Sequence, residues 1–180
     1  KKLGIGSHPA IILLDVCKAY TSVESPIAFS NTVIEPAILA IAKLLNAARQ
    51  PLPVVYAQTC YTHPSLRDAG LAAKKVPHIS CFLEGHAQGL TAVPDPNGLA
   101  EDKNPSPFFG TNLAAQLTAL GVDTVFIVAF TTGYSVRATT IDAMQCGFRP
   151  IVVGEGCADS GRETHFANLM DLNAKYADVI

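Results

Sequence analysis

The sequence predicts a three-layer α/β/α domain built on a mostly parallel, doubly wound sheet. Three observations carry this: four short β-branched apolar runs, amphipathic helical stretches between them, and glycines where those helices should stop. The runs are apolar throughout rather than alternating, the pattern of strands covered on both faces.

The first run, Ala10 to Asp15, ends in an acid. Val33 to Arg49 follows with apolar residues at Ile34, Ile38, Ile41, Leu44 and Leu45, a stripe of helical spacing. Pro53 to Gln58 supplies a second strand. From Thr62 to Pro107 the pattern dissolves into Pro- and Gly-rich sequence, with at most a helical turn at Leu71 to Lys75. So long an irregular stretch reads as a functional excursion over the carboxyl edge of the sheet. Thr111 to Leu120 is a helix stopped by Gly121, and Thr124 to Phe130 a third strand. Ser135 to Cys146, stopped by Gly147, is a further helix, and Pro150 to Val153 a fourth strand. No repeat or interdomain linker interrupts the 180 residues, so the expectation is one domain over 1–180.

Composition narrows the function. Thirteen Lys and Arg against fifteen Asp and Glu give a formal charge of -2, with no basic run to hold a phosphate backbone or an anionic bilayer. The expectation is therefore no nucleic-acid and no membrane partner. The apolar runs fall far short of the roughly 20 residues that cross a bilayer, and the first residues lack the pattern of a secretory signal, so a cytoplasmic protein is expected. The five cysteines, Cys17, Cys60, Cys81, Cys146 and Cys157, form no C-x-x-C pair, which argues against a disulfide framework. The five histidines have no zinc-ligand spacing, so no metal and no cofactor is expected.

Two positions can carry chemistry. Asp15 sits where a strand delivers its side chain into a ligand crevice; an acid there needs a partner or a task, the plain alternative being a turn cap. Phe130 to Arg137 reads as strand, tight turn and helix start, placing Ser135 beside backbone N–H groups able to hold an oxyanion, the plain alternative being a helix cap. A serine nucleophile normally uses a histidine base, and no histidine neighbours this turn in sequence. Lys103, in the loop before the Thr111 helix, reads by itself as a solvated charge.

Set in order, these segments resemble the isochorismatase-like cysteine hydrolases, and within them the N-carbamoylsarcosine amidohydrolase branch. The resemblance runs through Ile11 to Asp15 with Ala19-Tyr20-Thr21, then Lys75-Val76-Pro77, Asp102-Lys103-Asn104 and Phe109 to Leu113. It continues through Thr131 to Asp142, Gly147 to Pro150 and Asp171 to Val179. It implies an isochorismatase-like fold, a catalytic trio at Asp15, Lys103 and the nucleophile position 135, an oxyanion site on the backbone of Thr131, Tyr134 and Ser135, and a non-prolyl cis peptide between Phe130 and Thr131. It implies substrate contacts at Tyr20 and Thr131 and a homo-oligomer, dimer or tetramer. Tyr20 is equally readable as packed aromatic surface.

The implied activity is hydrolysis of a C–N amide bond in a small carbamoyl or ureido compound such as biuret, triuret or N-carbamoylsarcosine, with ammonia released. Two departures stand out. Where the family pattern has Cys before Val-Arg-Ala-Thr, this chain has Ser135, either a replacement that inactivates the site or a residue working by another mechanism. The unchanged surroundings favour the replacement. Where branch members resemble one another in an Asp-Arg pair, this chain has Asp159-Ser160, which leaves Arg162 as the candidate anion partner or else points to a neutral ureide. A nicotinamidase fits less well, since His63-Pro64 keeps one of the paired histidines that hold its metal. An isochorismatase-type vinyl-ether hydrolase needs no Cys, and an inactive binding protein would also tolerate Ser135.

Overall fold

A computed structural model describes residues 1–48, 52–76, 78–84, 99–102 and 104–180. Its elements run β1 (Pro9–Leu14), α1 (Lys18–Thr21), α2 (Asn31–Ala47), β2 (Val54–Gln58), α3 (Ala72–Lys75), β3 (Leu99–Asp102), α4 (Leu113–Ala119), β4 (Thr124–Phe130), α5 (Arg137–Gln145), β5 (Arg149–Ala158), α6 (Arg162–Lys175) and β6 (Asp178–Val179). The strands form one sheet in the order β3-β2-β1-β4-β5-β6, and every pairing is parallel.

Strand β1 shows why its apolarity is continuous. Ala10, Ile12 and Leu14 face a cluster with Leu113 and Leu117 of α4, Ala143 of α5 and Leu172 of α6. Ile11 and Leu13 point the other way, toward Ile34, Ala37 and Ile41 of α2. A side-chain period of two between two helical layers requires an apolar residue at every position. The expected three-layer fold is thus present, with the sheet parallel throughout.

The order of strands reverses between β1 and β4. After β1 the chain winds outward to β2 and β3, then returns to the other side of β1 as β4. At such a switch point the two following loops diverge and leave a crevice at the carboxyl ends of the strands. Asp15 follows β1 and Thr131 follows β4, so both chemical positions open onto that crevice.

Four of these elements lie beyond the sequence expectations: α1, β3, α6 and β6. Strand β5 also runs longer than its apolar core, ten residues from Arg149 to Ala158. Its pairing with β4 jumps from Ile127–Val152 to Ala129–Cys157, so extra residues of β5 bulge out beside Val128.

Candidate active site

Asp15 leaves β1 with φ of 52°, a left-handed conformation that Asp adopts more readily than most side chains. Its carbonyl accepts from the N–H of Cys17 at 2.8 Å, closing the turn. Its carboxylate is 5% exposed and has two partners: Oδ1 accepts from the N–H of Thr59 at 2.7 Å, and Oδ2 from the Ser135 hydroxyl at 2.6 Å. Burial raises its pKa above the usual carboxylate value, against the lowering effect of those hydrogen bonds. Asp15 is therefore a stronger base than a solvated aspartate and is in direct contact with a hydroxyl.

Ser135 lies on a single π-helical turn, Thr132–Val136, that leads into α5. The cis peptide bond expected between Phe130 and Thr131 is present at its start. The carbonyl of Thr131 accepts from the N–H groups of Tyr134 at 3.2 Å and Val136 at 3.1 Å. The N–H of Gly133 turns away, to Asp159 Oδ2 at 2.7 Å.

Above this pair opens a cavity of about 470 Å³ whose walls include Asp15, Tyr20, Phe29, Thr59, Tyr61, Ile79, Phe82, Thr131, Tyr134 and Ser160. Tyr20 fits both of its sequence readings: it is 9% exposed, its ring stacks 5.1 Å from that of Phe29, and it lines the cavity. Burial raises the pKa of Tyr20, Tyr61 and Tyr134, with the charge of Asp15 adding to the effect; Tyr61 is pushed up to about 12. All three phenols stay protonated at neutral pH and can donate hydrogen bonds to a ligand. Among the described lining residues Asp15 is the only carboxyl group, and no Lys, Arg or His stands with it.

Asp15, Ser135, Thr131, Tyr134 and Tyr20 therefore come together, and Arg162 does not join them. Arg162 lies at the start of α6 with its guanidinium 5.7 Å above the ring of Phe166. It faces a different cleft of about 530 Å³, lined also by Thr32, Glu155, Asp159 and His165. The resemblance expects Arg162 to meet the substrate beside Asp15; it is not among the described residues lining that cavity, and α6 begins with it directly after the N-cap Gly161. Lys103 lies outside the described residues. The two residues after it, Asn104 and Pro105, line a narrow crevice with Asp15 and Thr59.

Sequence reasoning missed Thr59 and His165. Thr59 follows β2 as Asp15 follows β1, so adjacent parallel strand ends would have indicated it. His165 reaches Thr132 across 33 residues, and spacing gives no sign of it. No cysteine is among the described residues lining this cavity; Cys17, two residues after Asp15, is buried, and burial together with the charge of Asp15 pushes its thiol up to about 12. Among the described residues no three His, Cys, Asp or Glu side chains cluster as a metal site would require, and no helix is long and apolar enough to cross a bilayer.

The family model described as the Isochorismatase domain matches residues 9–180. The chain belongs to the isochorismatase family. Within this family it is similar to maleamate amidohydrolase of Pseudomonas putida, 36% identical over 185 residues, which span 100% of this chain and 86% of that protein. It is also similar to N-carbamoylsarcosine amidase of an Arthrobacter species, 30% identical over 187 residues, 99% of this chain and 70% of the relative. Solved isochorismatase-family folds superpose closely. An isochorismatase-like hydrolase from Alkaliphilus metalliredigens does so with a TM-score of 0.80 at 20% identity, over 96% of this chain and 93% of its own. Nicotinamidase from Bacillus subtilis gives 0.81 at 16% identity, over 96% and 99%. The family resemblance read from the motifs thus holds over the whole domain.

Proposed function

We propose that this protein is an amidohydrolase site for a small, uncharged carbamoyl or ureido compound, with position 135 as nucleophile and Asp15 as the acid–base group. The observation that carries the reading is the 2.6 Å hydrogen bond from Ser135 Oγ to the buried Asp15 carboxylate at the floor of the cavity. The amidohydrolase names of two relatives support the reaction class.

In the reaction, Asp15 Oδ2 takes the proton of the nucleophile, which attacks the substrate carbonyl carbon. The C–N bond of the tetrahedral adduct then breaks, and Asp15 returns the proton to the departing nitrogen, releasing ammonia. Water, deprotonated by the same carboxylate, hydrolyses the acyl group from position 135. A thiol, with an ordinary pKa of about 8.5, gives up its proton to such a base far more readily than an alcohol. Ser135 therefore holds substrate with little turnover, and Ser135→Cys restores chemistry. The resemblance assigns Lys103 the role of stabilising the thiolate.

The cavity wall supports a neutral substrate. An anion placed beside Asp15 with no cation among the described lining residues would be repelled and unpaired. A ureide of the biuret kind avoids this and can stack on Tyr20 or Phe82. The proposal extends to a homo-oligomer, supported by exposed Leu39, Phe166 and Met170 and tested by light scattering.

The deciding experiment is ammonia release by Ser135→Cys from biuret, N-carbamoylsarcosine and maleamate. Turnover of biuret above the two carboxylates supports the whole reading. Preference for a carboxylate removes the neutral-substrate part, and silence on all three favours the binding protein or the vinyl-ether hydrolase.

A further inference from the structure

The turn that carries Ser135 is held from behind by residues to which the proposed chemistry gives no role. Thr132, its first residue, is fully buried, and its hydroxyl lies 3.2 Å from the carbonyl of Ala158 and 2.8 Å from Nδ1 of His165. A carbonyl only accepts, so the Thr132 proton goes to Ala158 and the hydroxyl oxygen must accept from His165. This fixes the histidine as its Nδ1–H form and leaves Nε2 without that proton when the ring is neutral. Burial of His165, outweighing the opposing charge of Asp159, lowers its pKa and so favours the neutral ring. The next residue of the turn, Gly133, is tied to Asp159. A side chain at Gly133 would meet Asn168 Nδ2 at 3.0 Å and Asp159 Oδ2 at 3.2 Å, so the turn and α6 are in close contact.

We infer that His165 is a positioning residue for the nucleophile: through Thr132 Oγ1 it fixes the start of the Thr132–Val136 turn, and with it the aim of the side chain at 135 toward Asp15. This rests on the hydrolase reading above. Position 135 is three residues from the anchored hydroxyl on one tight turn, so a rotation at Thr132 displaces it directly. Displacements of about 1 Å between reacting groups can cost about a hundredfold in rate. Removing the imidazole leaves a buried hydroxyl short of a donor, and the turn can relieve this only by shifting.

The test uses the full chain carrying Ser135→Cys, with His165→Leu, His165→Asn, Thr132→Val and the Leu/Val double variant added. Two readouts are taken: alkylation of the introduced thiol at position 135 by iodoacetamide at neutral pH, resolved by peptide mass, and kcat and KM for whichever amide turns over. His165→Leu should lower the alkylation rate at least about threefold and kcat about tenfold or more, with KM within about threefold. His165→Asn, whose amide N–H can replace Nδ1–H, should recover most of both. The double variant should lose no more than either single change, since both break one link. A fall of less than threefold in alkylation, equal losses with Asn and Leu, or additive losses would overturn the inference. If Ser135→Cys hydrolyses nothing, the hydrolase reading fails, while alkylation and the double-variant comparison still decide the role of His165. Should His165→Leu not fold, Thr132→Val breaks the same link from the other side.

Discussion

Ser135 Oγ donates to Asp15 Oδ2 across 2.6 Å, joining residues 120 positions apart, one directly after β1 and the other on the turn that follows the neighbouring strand β4. The acid is buried and its pKa is raised, with burial the leading cause. The sign of the stability effect follows. Between its unfolded and folded pKa the native state binds the extra proton, so stability falls as pH rises through that interval and stays lower above it. Asp15→Asn removes the buried charge and suits the left-handed conformation. It should raise Tm at neutral pH, with the gain shrinking as pH falls toward about 4. In the Ser135→Cys background it should also cut ammonia release by at least about a hundredfold. Thermal melts from pH 4 to 8 check the first part, and a lower Tm for Asp15→Asn at neutral pH would refute the burial account.

Arg162 offers a separate test of substrate charge. It stands over Phe166 in the cleft beyond Ser160, and not among the residues facing Asp15. Arg162→Ala in the Ser135→Cys protein should change kcat/KM for a neutral ureide by less than about threefold. A loss of about a hundredfold confined to carboxylate substrates would place Arg162 in the binding site after all.

Gly156 reports on the packing that supports the site from below. It is buried in the irregular part of β5, and a Cβ there would lie 2.6 Å from Val128 Cγ1. Val128 is fully buried in β4, two residues before Phe130, so it has little room to yield. Gly156→Ala should cost about 1–3 kcal/mol, read from urea unfolding. Gly156→Ala combined with Val128→Ala should cost less than the two separate changes together, because the second relieves the overlap of the first.

What the sequence disclosed, and what it hid, divides along the kind of signal each residue sends. Strands β1, β2 and β4 are legible because both faces are covered, which writes an uninterrupted apolar run into Ile11 to Leu14 and Val125 to Phe130. Asp15 is legible because it breaks such a run at its end. Helix α6 is hidden because Leu172 is its sole buried residue among fourteen, so hardly any apolar stripe marks its 3.6-residue period. Strand β6 is two residues long, too short for any pattern. Of the site, the Asp15–Ser135 pairing came from resemblance, whereas Thr59 and His165 depend on which strand ends and helices become neighbours, and no single stretch of sequence encodes that.

The amino-terminal segment supplies the last prediction. Asp178 accepts from the N–H groups of Leu3 at 3.1 Å and Gly4 at 2.8 Å. Asp123 accepts from those of Ser7 at 2.7 Å and His8 at 3.2 Å, and from the Thr124 hydroxyl at 2.7 Å. Both carboxyls are held below the usual range, Asp123 chiefly by Thr124 and Asp178 chiefly by the Gly4 N–H. A depressed folded pKa gives stability that is present above the unfolded value of about 3.9 and is lost as pH falls through the folded one. On acidification the amides of Leu3, Gly4, Ser7 and His8 should therefore lose hydrogen-exchange protection before those of Ile12 and Val128, which lie in the paired core of the sheet. Asp123→Asn should lower protection at Ser7 and His8 about tenfold at neutral pH and leave Leu3 and Gly4 unchanged, because Asp178 still holds them. Protection factors, corrected for the pH dependence of intrinsic exchange, are the measurement. Simultaneous loss at all four amides in Asp123→Asn would mean that the segment is held as one unit and not by two separate carboxylates.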